Sequence, residues 1–401
     1  MKDDVKIVPI IGSDDAKADL DFLNEETVSK VMNFHMSFPM YEETPLAKLD
    51  NLAKTIGING VYVKDESYRF GLNAFKVLGG SFAIGNYLAK KLNLDISELP
   101  FDKMTSADVK AKLGDITFVT ATDGNHGRGV AWTANKLKQN SVVYMPKGSA
   151  QQRLEAIRKE GAQADITDMN YDEAVRLAYN NGEKNGWVMV QDTAWEGYTD
   201  IPTWIIQGYA TMAYEAYKQM KKRPTHIFVQ AGVGSLASAI TGFFSSVFKD
   251  EKPIIVIVEP KKADCIFKTA AANDGERHFV TGDMDTTMAG LACGEPCSIG
   301  WNVLKDYADY AIACEDYISA KGMRILGNPL TGDPKVISGE SGSVTTGLLV
   351  EIMQKPEYAE IKKQLQLDEN SEVLCFSTEG DTDRQNYLDT VWDGKDSSYN
   401  K

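Results

Sequence analysis

Residues 61–80 read VYVKDESYRFGLNAFKVLGG and contain a strand, a loop and the start of a helix. The run 61–66 is rich in β-branched and aromatic residues, which is typical of a strand. Beyond Lys76 the apolar residues recur with the period of a helix; they are Phe82, Ile84, Leu88 and Leu92. This stretch therefore predicts a strand-loop-helix transition with Lys76 at its centre.

The neighbours of Lys76 in the sequence suggest a chemical role for this lysine. They are apolar on both sides. An apolar environment disfavours the ammonium form, lowers the lysine pKa and leaves a free amine, as a Schiff-base lysine requires. An ordinary surface lysine at a helix start is the simpler interpretation of this motif alone, because Asn-x-x-Lys is a weak signal.

The bulk properties are those of an enzyme-sized chain. Its 401 residues can hold a large core, which we expect to divide into two lobes. The net charge of −14 argues against a nucleic-acid or anionic-membrane partner. The first residues lack the layout of a signal peptide, and no apolar run is long enough to span a bilayer. We therefore expect a cytoplasmic protein.

The cysteines form no CxxC pair and are too few for a disulfide framework. Cys293 and Cys297 have only Cys265 and His278 as conceivable further ligands, so we expect no metal site. The sequence leaves open whether Cys265 and Cys293 pair, and free thiols are the default.

Strand-like and helix-like runs alternate from Val61 onward, which predicts an α/β fold built on parallel sheets. The region before Asp50 reads as a helical arm. We expect two domains, each a mostly parallel twisted sheet flanked by helices. Residues 85–180 would form a small mobile domain, and residues 1–84 with 181–401 a large one. The strand-like runs are 61–66, 116–121, 141–146, 162–166, 187–192, 226–230, 254–260 and 373–378.

A glycine-rich loop follows the strand-like run 226–230. It reads Gly-Val-Gly-Ser at 232–235 and precedes a helix. Converging backbone N–H groups and a helix N-terminus suit a phosphate monoester, although a tight structural turn is an equal alternative. The spacing is not that of the dinucleotide fingerprint.

A second loop, Thr-Asp-Gly-Asn-His at 122–126, also connects a strand to a helix. Its backbone N–H groups could bind a substrate carboxylate while Asn125 contacts a cofactor ring. Asp123 adds negative charge, which favours a substrate with an additional ammonium group, and it could act as a general base. The alternative for Asp123 is a helix N-cap. His126 is expected to be a packed histidine.

Two more strand ends carry polar side chains. Asp192 ends the run 187–192 and either points into the same cleft or has a capping or loop-fixing role. Ser377 and Thr378 end the last strand, where a hydroxyl could bond a pyridine nitrogen and keep it unprotonated. An unprotonated nitrogen favours elimination at Cβ over transamination. Open parallel sheets bind ligands beyond the carboxyl ends of their strands, where all of these motifs fall.

Taken in order, these motifs resemble those of the tryptophan-synthase-β group, the fold type II pyridoxal-phosphate enzymes. The resemblance covers nearly the whole chain and implies pyridoxal 5′-phosphate as the cofactor. The motifs are Thr-Pro-Leu at 44–46, Asn-Ala-Phe-Lys at 73–76, Gly-Asn-His-Gly at 124–127, Gly-Val-Gly-Ser at 232–235 and Ser-Thr-Glu-Gly-Asp at 377–381.

The resemblance also implies roles for individual residues. Lys76 would hold the cofactor in Schiff-base linkage, and Asn125 would face its 3′ oxygen. Ser377 is the better match for the hydroxyl at the pyridine nitrogen, with Thr378 as the alternative. The phosphate would be bound by Gly232, Val233, Gly234, Ser235 and Leu236.

Asp123 stands where the serine/threonine deaminases of this group usually carry serine. With Gln-Asp-Thr-Ala-Trp-Glu-Gly-Tyr at 191–198, it resembles the branch that eliminates ammonia from 2,3-diaminopropionate. This implies a catabolic, homodimeric lyase that converts the D and L isomers to pyruvate and ammonia. Lys76 and Asp123 would be bases on opposite faces of the substrate, and Asp192 would assist near the β-amino group. A serine/threonine deaminase of the same fold is the nearest alternative.

Overall fold

The computed structural model describes residues 4–12, 17–122 and 124–398. The chain divides into two compact units. The first unit comprises Met1–Glu25, Glu43–Ala74 and Met212–Lys401, and the second comprises Glu26–Glu42 and Phe75–Thr211.

Parallel strands dominate both units, as the sequence predicts. Within the described residues the strands are β1 (Val5–Pro9), β2 (Leu46–Lys48), β3 (Gly60–Asp65), β4 (Thr117–Ala121), β5 (Asn140–Met145), β6 (Gln163–Ile166), β7 (Val188–Met189), β8 (His226–Gln230), β9 (Ile254–Pro260), β10 (Tyr310–Cys314) and β11 (Glu372–Ser377). In the first unit they form a sheet in the order β1-β10-β9-β8-β11-β3-β2, whose two edge strands are antiparallel to their neighbours. In the second unit the order is β6-β5-β4-β7, with every pair parallel.

Helices connect these strands, which confirms the predicted α/β class. Those of the described residues are α1 (Glu25–Met36), α2 (Asp50–Ile56), α3 (Val77–Lys91), α4 (Phe101–Met104), α5 (Ala107–Leu113), α6 (Asn125–Lys136), α7 (Gln151–Lys159), α8 (Tyr171–Asn185), α9 (Asp200–Gln219), α10 (Ser235–Phe248), α11 (Cys265–Ala272), α12 (Ser298–Tyr307), α13 (Asp316–Gly327), α14 (Glu340–Gln354), α15 (Ala359–Gln364) and α16 (Arg384–Val391). No helix in the described part of the chain is both long and apolar enough to cross a membrane.

The second unit is longer than the segment 85–180 predicted as the small domain. A buried histidine explains part of the difference, because His35 of α1 bonds α3 and α9. Its Nδ1 lies 2.7 Å from Thr211 Oγ1, and its Nε2 lies 2.9 Å from Ser81 Oγ. These bonds join α1 to α3 and α9 within the second unit, although α1, α9 and the first turns of α3 lie outside the predicted segment. The mobility of the small domain stays a prediction.

Three strands of the first sheet have no counterpart among the predicted strand-like runs, namely β1, β2 and β10. The arm before Asp50 is predicted to be helical, but it contains the edge strands β1 and β2 as well as α1. The third strand, β10, is a short alanine-containing run between two helices. Each gives a weak sequence signal, because three to five residues are too few to show an alternating pattern clearly.

A buried cluster of charged side chains lies in the first unit, next to the loop that follows β3. Arg69 donates to both carboxylates of the cluster: Nε lies 2.8 Å from Glu66 Oε2, and Nη2 lies 2.7 Å from Glu215 Oε2. Lys64 Nζ lies 2.7 Å from the same Glu215 oxygen. All four side chains are fully buried. The two positive and two negative charges compensate one another, which burial requires.

We expect Glu215→Gln to lower the free energy of unfolding by about 3–5 kcal/mol, because it leaves a buried positive charge uncompensated. Urea-induced unfolding at neutral pH measures this difference. The control is Glu25→Gln, which breaks a half-exposed ion pair with Lys218 and should cost at most about 1 kcal/mol. Equal decreases in the free energy of unfolding in the two variants would contradict the interpretation that the buried cluster stabilises the fold.

The cluster also predicts a pH signature. Burial acts to raise the pKa of Glu215, but Arg69 and Lys64 outweigh it and hold this pKa at about 2, below its ordinary value of 4.5. The stabilisation is therefore complete above pH 4.5 and is lost as the pH falls towards 2. In that window, wild-type stability should fall more steeply than that of Glu215→Gln.

Candidate active site

Three neighbouring parallel strands of the first unit end at one edge of its sheet. They are β8, β11 and β3, and Ser377 at the end of β11 is in register with Asp65 at the end of β3. The glycine-rich loop 232–234 leaves the end of β8 at this edge. The sequence prediction that these motifs follow strand ends is therefore confirmed.

The loop 232–234 has the local geometry of an anion cradle. Gly234 has φ +93°, a left-handed conformation that favours glycine, and it precedes the first turn of α10. A Cβ at Gly232 would lie 3.1 Å from the Cys293 sulfur, so the backbone is closely packed there. No side chain caps α10 at Gly234. Backbone N–H groups at such a helix start favour a phosphate group, so Gly232, Val233, Gly234, Ser235 and Leu236 fit the phosphate of the implied cofactor.

The hydroxyls at the end of β11 have different surroundings. Thr378 Oγ1 accepts a hydrogen bond of 2.9 Å from Gln230 Nε2. Within the described part of the chain, Ser377 Oγ makes only a long contact of 3.5 Å with the Glu379 carbonyl oxygen. Both residues are buried. Ser377 has the hydroxyl less engaged by the protein, which suits it to bond a ligand atom.

Lys76 and Asp192 are brought together in the second unit. Lys76 immediately precedes α3, and Asp192 lies three residues beyond the end of β7. Lys76 Nζ donates to Asp192 Oδ2 over 2.6 Å. The lysine side chain is 23% exposed and the aspartate side chain 9%. The sequence predicts an apolar environment for Lys76, but the structure pairs its amine with a carboxylate.

The lysine determines the charge state of Asp192. Burial acts to raise the pKa of this carboxyl, but the positive charge of Lys76 and its hydrogen bond outweigh burial and hold the pKa at about 2. Asp192 is therefore ionised at neutral pH. Together the two residues provide an amine and a carboxylate in direct contact, which can exchange or hold protons.

Gln191 fixes the backbone on which Asp192 stands. Its fully buried side chain accepts a bond of 2.9 Å from Thr120 Oγ1 and donates one of 2.8 Å to Tyr171 OH. Its backbone N–H donates to Tyr198 OH over 2.8 Å. These bonds connect the ends of β4 and β7 with the start of α8, so they restrict the position of Asp192.

The loop after β4 lies at the same edge of the small sheet as the end of β7, because the two strands are adjacent and parallel. Thr122 Oγ1 accepts a bond of 3.0 Å from Gly124 N, and Asn125 begins α6. His126 is buried, and its Nε2 lies 2.8 Å from the Val190 carbonyl oxygen, in keeping with a packed histidine. Asp123 lies outside the described residues.

The sequence predicts no role for several residues that surround these groups. Gln230 falls in a strand-like run and Gln191 opens the motif 191–198, but no function is predicted for either side chain. Tyr209 of α9 is 1% exposed and packs its ring 4.7 Å from that of Phe75, beside Lys76. It falls within an amphipathic helix and belongs to no motif, so no sequence signal marks it.

The cysteines are free thiols, including Cys265 and Cys293. Cys265 Sγ lies 3.7 Å from the Gly232 carbonyl oxygen, and burial raises the pKa of this thiol. No group of side chains in the described residues could hold a metal ion.

This chain matches the family described as "Pyridoxal-phosphate dependent enzyme" over residues 38–354. It is 50% identical to diaminopropionate ammonia-lyase from Salmonella typhimurium over 383 residues, which cover 94% of this chain and 95% of the relative.

Two crystal structures of the Escherichia coli diaminopropionate ammonia lyase are similar to the present fold over 98% of each chain. The selenomethionine-containing holo form has a TM-score of 0.91 and 46% sequence identity. The complex with an aminoacrylate-PLP azomethine reaction intermediate has a TM-score of 0.89 and 45% identity.

These similarities confirm the fold type II architecture and the cofactor that the sequence predicts, while the roles of individual residues stay predictions. In the first unit the glycine cradle and the buried hydroxyls at the end of β11, and in the second unit the lysine in front of α3, each have the chemistry that one part of pyridoxal phosphate requires. The chain belongs to the family of pyridoxal-phosphate dependent enzymes.

Proposed function

We propose that this protein is a diaminopropionate ammonia-lyase, which eliminates ammonia from D- and L-2,3-diaminopropionate. The remaining unsaturated product hydrolyses to pyruvate and a second ammonia. The Salmonella typhimurium and Escherichia coli relatives are named for this activity, and the similarity extends over nearly the full length of each chain.

The proposal assigns each residue a distinct task. Lys76 would hold the cofactor through its aldehyde, residues 232–236 through its phosphate, Asn125 at its 3′ oxygen and Ser377 at its ring nitrogen. Bound pyridoxal phosphate supplies an electron sink for the negative charge that develops at Cα. Lys76 and Asp123 take the Cα proton from opposite faces of the substrate, one for each isomer.

The observation that carries this assignment is the contact between Lys76 Nζ and Asp192 Oδ2. It places an ionised carboxylate beside the lysine that would take the cofactor. An anionic group in that position attracts the additional ammonium of a diamino acid and can hold a proton for the departing β-amino group. The hydroxyl of serine or threonine carries no such positive charge, so a deaminase would gain less from Asp192.

The first experiment combines an absorption spectrum with a pyruvate assay on D- and L-2,3-diaminopropionate. We expect a visible cofactor band in the wild type and pyruvate from both isomers. Lys76→Ala should lose the band and roughly a thousandfold or more of the activity. Lys90→Ala on the same helix, whose side chain is 67% exposed, should keep both. A wild type without the band, or with pyruvate from serine or threonine only, would overturn the proposal.

Asp123→Asn should affect the two isomers differently. We expect turnover of the D isomer to fall by about 100-fold, since the base on its face is lost, while the L isomer keeps its base. Separate kcat measurements for the two isomers test this difference. A change that is equal for both isomers would contradict the assignment of opposite faces.

Asp192→Asn should instead lower the turnover of both isomers by about 100-fold. The β-amino group has to leave in both reactions, regardless of the face from which the Cα proton is taken. The visible band should remain, since Lys76 is intact. The control is Asp200→Asn, which removes an exposed partner of Lys90. A selective loss of one isomer in Asp192→Asn would show that Asp192 acts at Cα.

We further propose a homodimer located in the cytoplasm. Dimers are usual in the fold type II group, and the acidic composition suits a protein of the cell interior. Light scattering on the purified holoenzyme tests the dimer, and cell fractionation tests the location.

A further inference from the structure

Tyr209 has a buried hydroxyl without a hydrogen-bond partner in the described part of the chain. An unpaired buried hydroxyl costs about 1–3 kcal/mol, so such groups are uncommon in native proteins. An unpaired buried hydroxyl next to a reactive lysine is explained if it forms a hydrogen bond in the enzyme with its cofactor bound, because that bond would offset the free-energy cost of burial.

The ring of Tyr209 is fixed against the start of α3. A Cβ at Gly79 would lie 2.6 Å from Tyr209 Cε1, so the ring occupies the space that this glycine leaves open. A Cβ at Gly208 would overlap the Leu78 carbonyl oxygen, which shows that the backbones of α9 and α3 touch there. With the Phe75 contact, the ring is held by residues on both sides of Lys76.

The hydroxyl is also within electrostatic reach of the site. Burial raises the pKa of the Tyr209 phenol, and the charges of Lys76 and Asp192 act on it in opposite directions. The phenol therefore keeps its proton at neutral pH. Its oxygen has two lone pairs and one O–H, so it can accept a bond from an amine while it remains neutral.

We propose that Tyr209 is a positioning residue for Lys76, whose amine it holds by a hydrogen bond when the amine is bonded neither to the cofactor nor to Asp192. The inference rests on the proposed function. Asp192 holds the amine in the present structure, but in the working enzyme that carboxylate is engaged with the β-amino group. The tyrosine hydroxyl then directs the amine to the Cα proton on its own face. The Cα–H bond breaks, an N–H bond forms on Lys76, and Tyr209 keeps its proton.

Lys76 is the partner because the ring packs on its immediate neighbours. Phe75 precedes it and Gly79 lies one turn further along the same segment. A tyrosine that serves Lys76 affects only the isomer deprotonated by Lys76. A merely structural tyrosine would affect both isomers alike.

The test is Tyr209→Phe, with Tyr387→Phe as the matched control. Tyr387 is also buried, at 6% exposure, and its hydroxyl likewise has no partner among the described residues. Both variants should unfold at the wild-type temperature or above in the cofactor-free form, since each loses only an unpaired hydroxyl. This measurement establishes that the variants fold.

The first readout uses no substrate. Cofactor-free protein is mixed with pyridoxal phosphate, and the rise of the visible band reports how fast Lys76 bonds the cofactor. We expect Tyr209→Phe to react several-fold more slowly, roughly three- to tenfold for one lost hydrogen bond, and Tyr387→Phe to match the wild type.

The second readout is turnover of each isomer by the holoenzymes. We expect Tyr209→Phe to lower kcat for L-2,3-diaminopropionate by about tenfold with little change in KM, and to leave the D isomer within about twofold. Equal losses for both isomers, or a variant that behaves as Tyr387→Phe in both readouts, would overturn this inference alone. A wild type that shows no band or acts on neither isomer would overturn the proposed function as well.

Discussion

The parallel pairing of strands is the constraint on which the rest of this structure depends. Because β3, β8 and β11 run in the same direction and are neighbours, the chain leaves all three at one edge of the sheet. The phosphate-type loop, the hydroxyls of Ser377 and Thr378, and the loop leading to Lys76 all follow these ends. An antiparallel arrangement of the same strands would distribute these groups over two opposite edges.

The parallel pairing of strands in the small sheet likewise determines where its polar groups lie. β4 and β7 are adjacent and parallel, so the chain leaves both strands at the same edge of the sheet, before α6 and before Asp192 respectively. Gln191 then joins the two strand ends through its buried amide. Because this amide is hydrogen-bonded, it stabilises the backbone at the strand ends without adding a charge. Asp192 then supplies the carboxylate that Lys76 contacts.

The two groups of charged residues differ in a way that matches their roles. The cluster of Lys64, Glu66, Arg69 and Glu215 is fully buried, and its positive and negative charges are balanced. Its ion pairs therefore stabilise the fold. In the pair of Lys76 and Asp192 the aspartate is buried, but the lysine side chain is 23% exposed. In the proposed function this exposure would let a cofactor take the place of Asp192 at the lysine amine. The two groups therefore differ in exposure: the charges of the cluster are inaccessible and stabilise the fold, whereas the amine of Lys76 is accessible and available for the proposed chemistry.

The sequence by itself determined the α/β class, most of the strands, and the order of motifs that identifies the family. These features are local, since a strand, a glycine-rich loop or a helix start is recognisable within about ten residues. Which strands are neighbours, where the units divide and what surrounds Lys76 came only from the tertiary structure. Lys76 and Asp192 are 116 residues apart in the chain, and Tyr209 packs on Phe75, the neighbour of Lys76, from within α9. Contacts of that kind depend on how helices and sheets pack, and a local sequence pattern does not encode them.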